Sequence, residues 1–304
     1  LQSSGISSPA NISTTTTANG QTRSRFALSG RSAHIDSRIQ AARRDLADVR
    51  LADRVFAPHY AAPIAHVVTA RGPLYADKQC SDILSECLIG ERFDVLEIVG
   101  DVCWGINCVD GAVGYIYRSQ LGAAAKCPLI VTALQTAVRA KPATGAAALD
   151  TLPMGTRLPA ADASGWIPLG KGFVSAEDAA PCPVSKSGDF VAIVEALLGV
   201  PFVPGGRSGA GVSHDGLIFL SLMMAGIVAP RFADLQAESL GDEAQGSERR
   251  GDLLFFDGHA AIALDSDHAI HCDPVRGAVV REPIAGLSGP DRFGPVTARR
   301  RVTA

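Results

Sequence analysis

The sequence predicts a multidomain chain: two small all-β barrels in tandem, followed by an α+β domain with an antiparallel sheet. Three observations predict it. Val68-Thr69-Ala70 recurs as Val131-Thr132-Ala133, and matching features of the two copies lie about 60 residues apart. Each copy is a series of short alternating stretches punctuated by turn glycines. After Pro181-Cys182-Pro183 the pattern changes to apolar segments at helical spacing and then a run of short strands. A chain of 304 residues, 47% of them apolar, has room for three cores at about 100–200 residues per domain.

The elements follow in chain order. Residues 1–31, rich in Ser, Thr, Gly and Asn with a Thr14–Thr17 run, are expected to form a flexible tail, because they bury too little apolar surface to offset ordering. Residues 32–64 are expected to connect. Ile35, Ile39, Leu46, Val49 and Leu51 give 35–54 a weakly amphipathic helical pattern, and Ala57 to Pro63 reads as extended because proline disfavours helix at the residue before it. The first barrel is expected over 65–123 and the second over 127–181. Pro73-Leu74-Tyr75-Ala76 parallels Ala137-Val138-Arg139-Ala140, and Leu88-Ile89-Gly90-Glu91-Arg92 parallels Pro153-Met154-Gly155-Thr156-Arg157. A tryptophan strand (Trp104; Trp166) and a Gly-aromatic-aliphatic strand (Gly114-Tyr115-Ile116; Gly172-Phe173-Val174) complete each copy, with both tryptophans expected in barrel cores. The third domain, 185–304, opens with a helix over Phe190–Leu198, capped by Ser187 or Asp189 and stopped by Gly199. A Gly/Pro-rich loop, Pro201–Gly211, leads to a second helix over Leu217–Gly226. Strands are expected at Leu253–Phe256, Ala260–Leu264, Ala269–His271 and Ala278–Glu282.

Charge and cysteine usage exclude several functions. The net charge of -3 provides no basic field for a phosphate backbone, so no nucleic-acid partner is expected. The longest nearly uncharged apolar stretch, Leu217 to Pro230, is shorter than the roughly 20 residues that span a bilayer, so no membrane span is expected. Seven cysteines without a Cys-x-x-Cys pair argue against a zinc ribbon. Pairing of Cys80 with Cys87 or of Cys103 with Cys108 stays open. No signal peptide is visible, and the compartment stays open.

The two barrels resemble bacterial SH3 domains, which bind cell-wall peptides or pack against a catalytic partner domain. The third domain resembles the NlpC/P60 family of cell-wall cysteine peptidases, whose fold is papain-like. Gly199-Val200-Pro201-Phe202-Val203-Pro204-Gly205-Gly206-Arg207-Ser208 is similar to the family's G-x-P-Y-x-W-G-G-R-S loop. Gly216-Leu217-Ile218 with Ala225-Gly226-Ile227 is similar to the helix that carries the nucleophile. Pro230-Arg231-Phe232-Ala233-Asp234-Leu235-Gln236 resembles P-R-x-S-x-x-Q. Gly251-Asp252-Leu253-Leu254-Phe255-Phe256 followed by Gly258-His259-Ala260-Ala261-Ile262 resembles G-D-L-x-F-F…H-V-x-I, and Ile270-His271 the strand of the third polar residue.

The resemblance implies a cysteine at the helix start that attacks an amide carbonyl as a thiolate, with a histidine as base and a polar residue orienting it. His259 and His271 fit the base and its orienter. The D-C-S-G motif falls on Ser213-His214-Asp215-Gly216, so His214 stands at the nucleophile position, and Phe202 stands where the family has a substrate-contacting tyrosine. Phe202, Arg207, Ser213 and Asp215 are the expected substrate-binding residues. A helix N-terminus disfavours a charged imidazole and weakens it as a base, so His214 is no substitute for a thiolate. Ser213 and Cys272 are the nearest alternative nucleophiles, and Cys272 should face away from His271 by strand alternation. No cofactor and no metal are expected, although three imidazoles at His214, His259 and His271 are a conceivable zinc set. The expected function is that of a degenerate peptidoglycan peptidase that binds a stem peptide or a protein partner, in the cell envelope or outside the cell. The alternatives are an active γ-D-glutamyl-diamino-acid hydrolase with a displaced nucleophile, and a structural component of an envelope or phage-tail-like assembly.

Overall fold

The computed structural model describes residues 35–185, 189–289 and 291–302, together with two short antiparallel strands, Ser13–Thr15 and Arg23–Arg25. The rest of the tail expected over 1–31, and the candidate cap Ser187, lie outside the described residues. The chain divides into two compact units, Leu1–Asp36 and Ser37–Ala304, and the second contains everything that follows.

The connector is not the amphipathic helix its spacing predicts. Leu46–Asp48 pairs in parallel with His59–Ala61, and a 3-10 turn, Val49–Leu51, is capped by the Asp48 carboxylate accepting from the Arg50 amide. Ile39 and Val49, two of the five residues of the expected stripe, are exposed. Docking overrides the helical pattern. Arg43 lies 4.3 Å over the Trp104 ring and bonds Glu97 and Tyr115, while Ala41, Leu46 and Ala61 cover the barrel's outer face.

The first barrel comprises β1 (Ile64–Val68), β2 (Gly72–Tyr75), β3 (Ile83–Cys87), β4 (Arg92–Val99), β5 (Val102–Asn107), β6 (Val113–Tyr117) and β7 (Leu121–Ala123). They form one sheet in the order β7-β1-β4-β5-β6-β2-β3. Val68, Leu74, Cys87, Phe93, Val95, Cys103 and Ile116 point inward as period-2 alternation requires. Trp104 is buried, yet under the connector on the outer face rather than in this core.

The second β-domain repeats the scheme with β8 (Leu129–Val131), β9 (Gln135–Arg139), β10 (Ala148–Pro153), β11 (Arg157–Leu158), β12 (Trp166–Leu169), β13 (Gly172–Ser175) and β14 (Ala179–Pro181). Its sheets, β11-β8-β14 and β10-β9-β13-β12, reproduce every pairing of the first barrel except the one equivalent to β4 with β5. Val131, Val138, Leu152, Leu158, Ile167 and Val174 form its core. Trp166 is only partly buried, because its neighbour Ile167 takes the inward position.

The last domain contains α1 (Phe190–Ala196), α2 (His214–Met224) and α3 (Ala233–Ser239), then β15 (Asp252–Phe256), β16 (His259–Ala263), β17 (His268–Asp273), β18 (Ala278–Pro283) and β19 (Ala298–Arg301). The antiparallel sheet runs β19-β15-β16-β17-β18, with Asp242–Glu243 on its β19 edge. Alternation splits β15: Leu253 and Phe255 join the helices in the main core, whereas Leu254 and Phe256 meet Ile284 and Leu287 on the opposite face. The second helix starts three residues earlier than Leu217, because Ser213 caps it and brings His214 into its first turn. No helix among the described residues is long and apolar enough to cross a membrane.

Candidate functional site

His259 opens β16 and His271 lies on β17, where it pairs in register with Ala261. The two histidines therefore share one sheet face as diagonal neighbours. His259 Nε2 and His271 Nδ1 are 2.9 Å apart, and His271 Nε2 is 2.9 Å from Glu282 Oε2 on β18. An ionised carboxylate only accepts, so His271 must donate from Nε2 and accept at Nδ1. His259 then donates from Nε2 and keeps the lone pair of its neutral ring on Nδ1. Arg292, 2.7 Å from Glu282, and Arg276 hold the carboxylate in place. Phe293 stacks on His259 with ring centroids 3.6 Å apart and planes 8° apart.

Burial holds all three site imidazoles in the neutral form. It pushes His259 down to about 3, with His214 and His271 adding to the effect. His271 is lowered by burial against the opposing pull of Glu282, and His214 by burial against that of Asp215.

His214 stands in the first turn of α2, its ring centroid 5.4 Å from that of His259. The structure thus brings His214, His259 and His271 together, the three positions that the resemblance implies for the site. Ser213 Oγ accepts from the Gly216 amide as the helix cap and lies 2.5 Å from Asp215 Oδ1 and 3.2 Å from the Gly206 carbonyl, so its hydroxyl is spent on local structure. A side chain at Gly216 would meet the Gly206 oxygen at 1.9 Å, and this close approach fixes the helix start against the Gly205-Gly206 turn. Cys272 Sγ contacts the Val212 carbonyl at 3.1 Å on the core side of β17, and burial pushes its thiol up to about 12. Among the described residues, no hydroxyl or thiol hydrogen-bonds to His259; its side-chain partner is His271.

The residues expected to bind substrate are placed differently. Arg207 is completely buried, its guanidinium 2.9 and 2.6 Å from the two oxygens of Glu91 and 2.8 Å from Asp110, both in the first barrel. It joins two domains and leaves no donor facing a cleft. Asp215 pairs with Arg231 at 2.9 Å; burial alone would raise its carboxyl, and the Arg231 charge together with His214 and the Ser213 hydroxyl outweighs that and holds it low. Arg231 also donates to Ser85 of the first barrel and to the Gly205 carbonyl. Phe202 is partly buried against the main core, with its amide on the Gly277 carbonyl.

Glu282, Arg292 and Phe293 were not among the expected site residues. Glu282 was reachable as the last residue of an expected strand beside that of His271, whereas Phe293 sits in a turn with no periodic signal. The three-imidazole zinc set does not fit this geometry: both His271 nitrogens are committed, one to His259 and one to Glu282. His271, Asp273 and Glu282 do present ligand atoms within 4.8 Å of one another, but Arg276 and Arg292 already neutralise both carboxylates.

Residues 199–287 match the model of the NlpC/P60 family, and residues 74–121 match that of the bacterial dipeptidyl-peptidase Sh3 domain. The chain carries an NlpC/P60 family domain preceded by a bacterial SH3 domain, in a multidomain β-rich architecture. The family match for the repeat covers its first copy. The structure of an NlpC/P60 family protein from Bacillus cereus is similar to 79% of this chain over 100% of its own length, with a TM-score of 0.68 and 16% identity. That of an NlpC/P60 endopeptidase from Photobacterium damselae subsp. piscicida is similar over 77% of this chain and 70% of its own, with a TM-score of 0.55 and 12% identity. Both show a shared fold. No curated protein matches the chain.

Proposed function

We propose that this chain is a degenerate NlpC/P60 peptidase that binds a peptidoglycan stem peptide in the cell envelope without cleaving it. The observation that carries the reading is the ring of His214, at the start of α2 and 5.4 Å from His259. On this reading His214 stands where the family places its cysteine. The imidazole chain from Glu282 to His259 then keeps an unprotonated nitrogen that has no thiol beside it. Ser213 and Cys272 are spent on a helix cap and a core carbonyl, which disfavours a displaced nucleophile. Loss of the nucleophile removes much of the ~8–23 kcal/mol by which enzymes lower a barrier. The second β-domain, which shares the strand pairing of the first, is on this reading a second SH3-like domain.

The test is a calorimetric titration with L-Ala-γ-D-Glu-diaminopimelate, followed by chromatography of the mixture. Saturable binding with intact peptide is expected. Released L-Ala-D-Glu contradicts the reading, and absence of any binding removes the stem peptide as the ligand.

A further inference from the structure

Between the two β-domains lies a cavity of about 770 Å³, away from the imidazole site. Its walls are mainly apolar, with Val138, Leu152, Leu158 and Leu169 from the second β-domain and Val67 and Ile89 from the first. The size falls within the ~300–1,000 Å³ usual for small-molecule sites, which pair an apolar lining with a few placed polar groups.

The polar groups here are Arg157, Lys171 and Asp150. Arg157 is the unusual one. Its backbone is pinned at the domain junction, its amide 2.9 Å from the Ile89 carbonyl. A side chain at Gly90, where φ is +80°, would meet the Arg157 carbonyl at 2.2 Å. The guanidinium makes no hydrogen bond or ion pair with any described residue, and its Nε is buried without a partner. Burial lowers its pKa, with Glu91 only partly opposing the shift. A half-buried guanidinium without a hydrogen-bonded counter-ion costs free energy that an incoming anion would recover.

We propose that this cavity binds an aliphatic carboxylate, with the carboxylate on Arg157 and Lys171 and the aliphatic body among Val138, Leu152, Leu158 and Leu169. The choice of a singly charged head follows from the lining. One guanidinium and one ammonium, with Asp150 in the same wall, balance one negative charge better than two. A planar guanidinium also matches a carboxylate through paired N–H donors. The site is independent of the peptide reading, because no lining residue belongs to the imidazole cluster.

The test is calorimetry of the purified chain with decanoate below its micellar concentration, alongside decyltrimethylammonium. Decanoate is expected to bind at one per chain, and Arg157→Gln to weaken it at least tenfold. The ammonium of equal length is expected not to saturate. Should Arg157→Gln fail to fold, Leu149→Glu adds a negative charge at an exposed rim position and is expected to weaken decanoate tenfold. Equal binding of anion and cation, indifference to these substitutions, or no saturable decanoate binding each overturns the proposal.

Discussion

Glu282 and His259 do not touch, yet the Glu282 carboxylate decides which nitrogen of His259 carries the proton. The control passes through His271, whose two nitrogens lie 2.9 Å from each neighbour. Nitrogen NMR of labelled histidines reads it directly. His271 and His259 are expected as Nε2–H tautomers at pH 7, with unprotonated Nδ1. In Glu282→Gln the amide can donate as well as accept, so His259 is expected to populate both tautomers. An unchanged spectrum contradicts the relay.

The neutral imidazole cluster makes stability depend on pH. The His259 pKa falls from about 6.5 in the unfolded chain to about 3 in the fold, so the unfolded state binds more protons between these values. The contribution is complete above about pH 6.5 and is lost as pH falls toward 3. Denaturant midpoints should therefore drop from pH 7 to pH 4, and the drop should be smaller in His259→Gln. Equal drops in both proteins contradict this assignment.

Arg207 joins the NlpC/P60 domain to the first barrel, so its loss is a stability defect. Arg207→Met leaves Glu91 buried without its cation and Asp110 with Arg231 alone, 3.8 Å away, and removal of one partner from such a pair costs about 3–5 kcal/mol. Urea unfolding should show that loss, together with weakened coupling between the two domains. A variant of native stability with weakened peptide binding would return Arg207 to the substrate.

Gly216→Ala tests the helix start. The added carbon would collide with the Gly206 carbonyl, and overpacking of this kind costs about 1–3 kcal/mol. A lowered melting temperature is expected, with His214 and His259 no longer in ring contact by NMR.

The first barrel, the strands of the second β-domain and the last sheet were legible because period-2 alternation and turn glycines are local signals. The histidine cluster was legible because the resemblance placed His214, His259 and His271 at the three site positions, and because His259 and His271 fall on or beside expected strands that follow one another. The connector was not: Leu46 and Ala61 pack, partly buried, against a cluster that includes Leu96, Val102 and Trp104, which no local window contains. Nor was the role of Arg207. A sequence motif gives a guanidinium, and only the fold gives Glu91 and Asp110, more than ninety residues earlier, as its partners. Glu282 was missed as a site residue because a carboxylate near the end of a strand looks like a solvated edge until β17 and β18 are set in register.

The most direct test of the central claim is prolonged incubation of the purified chain with L-Ala-γ-D-Glu-diaminopimelate, with His259→Ala in parallel. No release of L-Ala-D-Glu above the rate of buffer is expected for either protein. Turnover by the unmodified chain that His259→Ala abolishes would contradict it, since the imidazole chain would then be serving a nucleophile.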